Sequence, residues 1–273
     1  STFLVYNAGT NQIETNASAG GTIGLYDWNE GGLDEALDID DYFMSGDLGN
    51  PDRETWANRT RIYLDNPDHA DVNVVMWSWC GQASTSDPNH IQTYLTLMTS
   101  LENDYPNVIF VYMTGHTDGT GLEEPLHQRN SEIRNYCIDN GKILFDFADI
   151  ESYDPDGNYY GDKFVDDGCY YHNDTYTGNW ADEWTTTHED EVFSCGCAHS
   201  KPLNCNMKAY AAWWLWAKLA GWEEEIITSS AQNLLTKSSS GSSETSNTFS
   251  SAFNPIIILM GVLTALTLRR RVR

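Results

Sequence analysis

Polar side chains that could transfer protons or donate hydrogen bonds follow two apolar runs of this sequence. The run "VNVVMWSW" contains Ser78 and leads into Gln82, and the run "NVIFVYMTG" leads into His116. Such β-branched, apolar runs are typical of strands buried on both faces of a parallel sheet, whose carboxyl ends form the usual ligand crevice. We therefore predict that Ser78, Gln82 and His116 line a crevice, although a structural hydrogen bond would also explain Ser78 or His116.

The segment "CGCAHSKPLNC" places His199 just before the last helical pattern of the chain. A neutral imidazole can accept a hydroxyl proton, so His199 is a candidate general base. The cysteines of this segment could form disulfides or could bind zinc together with His199. We favour disulfides, because zinc sites usually use a Cys-x2-Cys spacing, and we expect no free thiol in the chain. The cysteines are Cys80, Cys137, Cys169, Cys195, Cys197 and Cys205.

The segment "DPDGNYYGD" places oxygen-bearing side chains at short intervals around Gly157. They are Asp154, Asp156, Asn158 and Asp162. Carboxylate oxygens at alternate positions suit Ca²⁺, but the segment lacks the terminal glutamate of an EF-hand. A metal-free turn, in which an aspartate side chain binds the backbone, is the other interpretation. Calcium is thus an optional ligand, and the predicted chemistry requires no cofactor.

The elements that must position these residues alternate between strands and helices. Strands are predicted at 72–79, 107–115 and 142–150, with helices at 89–106 and 126–141 between them. This order gives two successive βαβ units, which predicts an α/β fold with a mainly parallel sheet. A last helix with an aromatic stripe follows in the string "NMKAYAAWWLWAKLAGW", and we expect its tryptophans to pack in the core.

The net charge of the chain is −25 over 273 residues. So acidic a surface repels phosphate backbones, and we therefore do not expect nucleic acid as a partner. Asn-x-Ser/Thr sequons at Asn16, Asn58 and Asn173 are compatible with glycosylation of an exported protein.

The C-terminal part of the sequence predicts a membrane tether. Residues 228–251 form a Ser/Thr-rich linker, residues 252–268 are almost wholly apolar, and residues 269–273 read "RRRVR". The apolar stretch is about as short as a bilayer-spanning helix can be, and the arginines favour the cytoplasmic side. We predict that residues 1–227 form a domain outside the cell, with 252–268 as a transmembrane anchor or as a sorting signal for a sortase-like enzyme. A buried core helix is the alternative for this stretch.

Several longer strings resemble one enzyme family. They are "DLGNP", "WSWCGQ", "FVYMTGH", "DFADIESYDPDG" and "CAHS" followed by "LNC". In this order they resemble the SGNH/GDSL hydrolase superfamily, and within it an exported, cysteine-rich branch, over residues 46–222. The resemblance implies a three-layer α/β/α fold that hydrolyses esters, often acetyl groups on carbohydrates. It also implies a serine nucleophile, a histidine base and an oxyanion hole.

The resemblance implies that His199 is the base and that Gly49 and Gln82 contribute to the oxyanion hole. Gly49 could instead be a turn glycine. The family's aspartate three residues before the histidine is replaced here by Gly196. The acid that orients His199 must therefore come from elsewhere in the chain or be absent. The acids that could take this role are Asp166, Asp167 and Asp190.

The serine block that the family carries after its first strand has no match in this sequence. We expect that this block lies upstream of Ser1 or that this member has lost it, with Ser18 and Ser78 as the fallback nucleophiles. With a nucleophile, the protein is predicted to be a surface-tethered hydrolase of small-molecule or glycan esters. Without one, the same fold would serve as an inactive glycan-binding or adhesion module.

Overall fold

The computed structural model describes the central part of the chain and short pieces before it. The described residues are 26–28, 37–39, 44, 48, 52–79, 81–85, 87, 89–172, 175–194, 196–197 and 199–219. Gly49 and Ser18, the sequons at Asn16 and Asn173, and the predicted linker, apolar stretch and basic tail lie outside these residues. Within the ranges just given, no helix is both long enough and apolar enough to cross a membrane.

The described part of the chain contains seven strands, and three of them form the central parallel sheet. The strands are β1 Tyr26–Trp28, β2 Leu37–Ile39, β3 Val74–Trp77, β4 Ile109–Met113, β5 Ile143–Phe145, β6 Tyr170–His172 and β7 Thr177–Asn179. β3, β4 and β5 pair in parallel in that order, with Val75 opposite Phe110 and Tyr112 opposite Leu144. β1 pairs in parallel with β2, and β6 pairs antiparallel with β7.

Helices connect the strands of this sheet. They are α1 Thr55–Leu64, α2 Gln82–Thr85, α3 Asn89–Asp104, α4 Pro125–Asn140, α5 Phe147–Ile150, α6 Trp180–Thr185 and α7 Pro202–Leu219. α3 lies between β3 and β4 in the chain, and α4 lies between β4 and β5. Both predicted βαβ units are therefore confirmed, and the fold is of the mixed α/β class.

Helices cover both faces of the sheet because successive side chains of a strand point to opposite faces. Val75, Phe110 and Tyr112 belong to a buried cluster that also contains residues of α1, α3 and α4. Met76 and Val111 belong to a second cluster, which contains residues of α7. Each cluster removes apolar surface from water on one side of the sheet, and this burial is the main stabilising contribution to such a fold.

The predicted strand 142–150 is wrong in its second half. β5 ends at Phe145, and the short helix α5 begins at Phe147. The change occurs at Asp146, whose side chain accepts a hydrogen bond from Asp149 N at 3.2 Å and thereby caps α5. Periodicity alone could not show this cap, because the string remains apolar on both sides of it.

The end of α4 and the start of α7 are each explained by a single local residue. α4 ends as predicted, because Gly141 adopts the left-handed conformation with a φ of 62° and its amide donates back to the helix. α7 begins at Pro202, four residues before the predicted string, since proline is well suited to the first turn of a helix. Trp216 of α7 is buried, as we predicted for the tryptophans of this helix.

Residues 151–201, here called the loop region, contain short strands, turns and a small core of their own. Tyr160, Cys169 and Trp180 are buried in this core, which Leu203 of α7 completes. Polar residues are buried beside them, among them Asp154 and Asn179. The loop region is joined to the loop after β4 by the antiparallel bridge between Asp118 and Asp166. It thereby approaches the edge of the sheet at which β4 ends.

Candidate active site

Ser78 directly follows β3, which ends at Trp77, and it lies at the carboxyl edge of the sheet rather than inside the predicted strand 72–79. Its hydroxyl donates a bifurcated hydrogen bond to Trp79 O at 2.9 Å and Thr114 O at 3.1 Å. Thr114 follows β4, so the hydroxyl links the ends of two neighbouring strands. The side chain is largely buried. These contacts correspond to the structural interpretation of Ser78.

Gln82 is the first residue of α2 and is half-buried. The helix is fixed by Arg129 of α4, whose Nη1 donates to Ala83 O at 2.8 Å and to Ser84 O at 2.7 Å. Arg129 is itself buried. A charge-assisted contact of this kind holds α2 firmly in place. The Gln82 amide therefore belongs to a rigid element that follows β3, as an oxyanion-hole donor would require.

His116 lies in the loop after β4 and is half-buried. Its Nδ1 lies 2.7 Å from Thr117 O and 3.8 Å from Asp167 Oδ2. A carbonyl can only accept, so in the neutral ring Nδ1 carries the proton and donates it to Thr117 O. Nε2 is then the basic nitrogen of the imidazole. His116 thus has the tautomer that a general base needs, with a carboxylate beside it.

A buried ion pair fixes the backbone next to His116. The Glu151 carboxylate accepts hydrogen bonds from Thr117 N at 2.7 Å and from Thr117 Oγ1 at 3.0 Å. Its other oxygen lies 2.6 Å from Lys208 Nζ of α7. Both partners are almost completely buried, so each charge depends on the other for compensation. Since Thr117 directly follows His116, this ion pair holds the histidine loop against α7.

Asp167 interacts electrostatically with both histidines of the predicted site. Burial raises the pKa of the Asp167 carboxyl above its ordinary value. The negative charges of Glu151 and Asp166 raise this pKa further, whereas the positive charges of His116 and His199 lower it. The structure therefore places Asp167 beside His116 and within electrostatic range of His199. Of the three acids considered for orienting the base, Asp167 is the one that lies beside a histidine, His116, and interacts electrostatically with His199.

The other two acids have different surroundings. Asp166 Oδ1 accepts a hydrogen bond from Tyr170 N at 2.9 Å, which closes a turn. Asp190 is exposed in a short 3₁₀ helix, Glu189–Glu191. The candidate site is accordingly described by Asp167 and the two histidines.

His199 is exposed and adopts a φ of 61°, which is unusual for a residue with a side chain. Asn204 of α7 links the residue after His199 to the loop of Asp167, since its Nδ2 donates to the Ser200 side-chain Oγ at 2.7 Å and to Asp167 O at 3.4 Å. A disulfide between Cys197 and Cys205 ties the segment to the first turn of α7. Such uncommon backbone conformations persist where the surrounding structure enforces them, and they are frequent at functional sites.

The cysteines are only partly paired. The Cys197–Cys205 disulfide uses two of the ligands that the zinc interpretation needs. Cys137 on α4 and Cys169 in the loop region are free, so the expectation of no free thiol is wrong for these two. Burial raises the pKa of each thiol to about 12, so both thiols remain protonated and unreactive at neutral pH. Cys80 and Cys195 lie outside the described residues.

The predicted calcium loop is a turn organised by Asp154. Its Oδ1 accepts from Asp156 N at 3.0 Å and Asn158 N at 2.9 Å, and its Oδ2 accepts from Asn158 Nδ2 and Tyr160 Oη. Asp156 accepts a hydrogen bond from Trp184 Nε1, and Asp162 is exposed. Among the residues that the structure describes, no group of three or more His, Cys, Asp or Glu side chains is placed to hold a metal ion.

Two groups near the site gave no sequence signal. Glu151 and Lys208 are separated by 57 positions and share no motif. Asp149, inside an apolar string, has a half-buried carboxyl whose pKa is raised to about 6 by burial and by the charge of Asp146. For Lys208 and Asp149, a charged residue beside apolar neighbours was the one sequence feature that could have suggested burial. Such residues usually face solvent, so this feature predicts little.

Comparison with known proteins finds no matching protein-family model, no matching curated protein and no matching solved structure. The likeness to the SGNH/GDSL superfamily therefore rests on the sequence strings quoted above.

Proposed function

We propose that this protein is an SGNH-like ester hydrolase with a three-layer α/β/α domain, and that acylated carbohydrates are its substrate class. The observation that carries the proposal is the cluster at the carboxyl edge of the parallel sheet, where Asp167 faces His116 at 3.8 Å and is influenced by His199. Ligands of open α/β sheets bind at this edge. A carboxylate beside an imidazole is the arrangement that activates a hydroxyl nucleophile in ester hydrolysis.

In the proposed reaction, His199 takes the proton of a serine hydroxyl while its oxygen attacks the ester carbonyl. Asp167 stabilises the imidazolium that forms, and the Gln82 amide donates to the oxyanion. The imidazolium then returns its proton to the leaving alcohol, and water hydrolyses the acyl-enzyme by the reverse sequence. The buried Glu151–Lys208 pair positions the loop that carries His116.

The proposed reaction needs a serine nucleophile, and covalent labelling can locate it. The Ser78 hydroxyl donates to two backbone carbonyls, which argues for a structural role. The direct experiment is to treat the purified full chain with a fluorophosphonate, which reacts with activated serines, and to locate the adduct by mass spectrometry. A single labelled serine would identify the nucleophile. Absence of labelling together with absence of esterase activity would overturn the hydrolase proposal.

The base is tested with 4-nitrophenyl acetate and an acetylated oligosaccharide as substrates. His199→Ala is expected to lower kcat by roughly 10⁶-fold, as loss of the histidine of a triad does. The matched control is His69→Ala, because His69 stacks on Tyr63 of α1 with ring centroids 3.7 Å apart. If His116→Ala abolishes activity while His199→Ala does not, His116 is the base instead.

A glycan-binding module is the second candidate function, favoured by exposed aromatic side chains in the loop region. Tyr170 and Tyr176 are about half exposed, and the exposed Phe164 stacks on His172 with centroids 4.8 Å apart. Aromatic faces at a surface are suited to sugar rings. Binding of deacetylated oligosaccharides that Tyr170→Ala and Tyr176→Ala abolish, without any esterase activity, would favour this function.

Export and surface tethering are part of the proposal. The Cys197–Cys205 disulfide supports an oxidising compartment, in which such bonds persist. After cell fractionation, the full chain should sediment with membranes, and a chain ending within residues 228–251 should be soluble. Membrane retention of the shortened chain would contradict tethering through 252–268.

A further inference from the structure

A cavity of about 90 Å³ lies between α4, α5 and the loop that follows β4. Side chains that matter for its chemistry are Asp118, His127, Arg134, Asp149 and Tyr159. None of these was singled out by the sequence, and none belongs to the proposed hydrolase cluster. On this measure roughly 10–15 Å³ is enough to hold one water, so the cavity has room for several waters or for a small ligand group.

Arg134 supplies the guanidinium of the cavity lining, and Asp146 already balances its charge. Arg134 donates from Nε to Asp146 Oδ2 at 2.5 Å and from Nη2 to Asp146 Oδ1 at 2.8 Å. Such a bidentate pair neutralises both groups. The charge that Arg134 could otherwise offer to Asp149 is therefore largely used by Asp146.

The Asp149 carboxyl, in contrast, accepts no hydrogen bond from any residue that the structure describes. It is half-buried and lines the cavity. Burial raises its pKa to about 6, the charge of Asp146 adds to this effect, and Arg134 opposes it. At neutral pH the cavity thus contains a carboxylate without a cation of its own, a state that a cationic ligand would relieve.

Tyr159 forms an aromatic wall of the same cavity. Its phenol lies directly over Gly161, where an added Cβ would come within 2.2 Å of the Tyr159 hydroxyl oxygen. Its ring also contacts that of Tyr153, with centroids 5.0 Å apart. Glycine at position 161 therefore allows the ring to lie against the cavity. Aromatic faces attract ammonium groups, and a weaker attraction of this kind remains at partly exposed rings such as Tyr159, which is 38% exposed.

We propose that this cavity binds a small primary ammonium group, with Asp149 as its counter-ion and Tyr159 as its aromatic wall. Asp118 adds a second negative charge to the lining, so the cavity favours a cation over a neutral or anionic group. A primary amine is the appropriate class because a primary ammonium is a compact cation whose three N–H donors can reach the Asp149 carboxyl. This inference does not depend on the proposed hydrolase function.

The experiment is a titration of the full chain with ethylammonium chloride, followed by NMR at roughly 0.15 M salt, where the general attraction of the acidic surface is screened. We expect saturable shifts in the resonances of Tyr159 and Asn130. Ethanol, as the neutral analogue, should bind at least tenfold more weakly, because a hydrogen bond between two charged groups is stronger than one with a single charge. Asp149→Asn should weaken ethylammonium binding by about the same factor. Asp139→Asn, at an exposed position of α4, is the matched control and should bind like the wild type.

The carboxyl resonance of Asp149 gives a second readout that needs no variant. Ethylammonium stabilises the ionised carboxyl, so saturation should lower the pKa of Asp149 measured by ¹³C NMR. The titrating or charged groups that face Asp149 are Asp118, His127, Arg134, Asp146, Tyr153 and Tyr159. Because several of these groups carry charge, the carboxyl signal of Asp149 and not the pH dependence of binding is decisive. Equal binding of ethanol and ethylammonium, an unchanged pKa, or wild-type binding by Asp149→Asn would overturn the proposal.

Discussion

The sheet of β3 to β5 and the loop region are stabilised in different ways. In the sheet, side chains such as Val75 and Phe110 contribute apolar area to two clusters, and the backbone groups pair along parallel ladders. In the loop region, buried carboxylates and amides replace much of this apolar contact, with Glu151 and Asp154 as its central acceptors. The proposed catalytic residues lie where the two regions meet.

The two regions should respond differently to the loss of a single side chain. Apolar packing tolerates gradual loss, because each buried methylene contributes a similar amount. A buried polar network does not, because removal of one member leaves another charge or donor without compensation. We therefore expect substitutions in the loop region to have the larger effect on stability, even though the sheet buries more apolar surface.

Removal of one partner of the Glu151–Lys208 pair should have the largest effect. Glu151→Ala and Lys208→Met each leave a buried charge uncompensated, and each should lower the free energy of unfolding by about 3–5 kcal/mol. Urea denaturation followed by tryptophan fluorescence measures this. The double variant should lose less than the sum of the single losses. Single losses below about 1 kcal/mol would show that the pair is solvated and would erase the contrast between the two regions.

Truncation of a fully buried sheet-side residue should have the next largest effect. Leu101 of α3 has no exposed surface and belongs to the cluster beneath the sheet. Leu101→Ala should cost about 3 kcal/mol, from lost apolar burial and the cavity that remains. The control is Ile138→Ala on α4, where the side chain is 54% exposed and little change is expected. Equal effects of the two substitutions would contradict the packing described here.

The pH dependence of stability tests Asp149, which lies between the two regions. Its pKa is about 6 in the folded protein against an ordinary value of 3.8, so the folded state holds the proton to higher pH. The unfolding free energy should consequently fall between pH 4 and pH 6 and then level off. Asp149→Asn should remove this fall and should be more stable than the wild type at pH 7, by on the order of 2 kcal/mol. Parallel pH curves for the two proteins would refute the shifted pKa.

Sequence patterns predicted the order of the strands and helices well and the polar contacts poorly, for a physical reason. Strand and helix periodicity reflects which face of an element is buried, and the order of the βαβ units followed from it. The cap at Asp146, by contrast, is a single hydrogen bond that leaves the apolar pattern intact. The partnership of Glu151 with Lys208 depends on how α7 packs and has no local signature.

The candidate site was predictable in part for the same reason. Ser78, Gln82 and His116 follow strands, so their place at the sheet edge followed from topology. Asp167 was one of three equivalent acids in the sequence, and only three-dimensional proximity to His116 distinguishes it. Cys137 and Cys169 looked like disulfide partners because pairing was inferred from an even count, which carries no information about distance.

Substitution of Asp154 should have a smaller effect on stability. The response of the same turn to calcium decides between the calcium-loop and the metal-free interpretations. Asp154→Asn replaces one accepting oxygen by an NH₂ group that faces donors, and this should cost about 1–3 kcal/mol. If the turn is complete without metal, the thermal midpoint of the wild type will be the same in calcium and in EDTA. A rise in the midpoint with calcium that Asp154→Asn abolishes would establish the calcium interpretation.

The smallest effect is expected for the exposed ion pair of the loop region, Lys201–Asp182. Its atoms are 2.7 Å apart, closely similar to the Glu151–Lys208 distance, but the two side chains are 31% and 58% exposed. Water and salt screen an exposed pair, so Lys201→Met, which keeps the aliphatic stem, should change the unfolding free energy by less than about 1 kcal/mol. The Lys201→Met and Lys208→Met variants together compare two lysine–carboxylate contacts of nearly equal length that differ in burial. A loss of several kcal/mol from Lys201→Met would mean that contact distance, and not burial, determines the stability of the loop region.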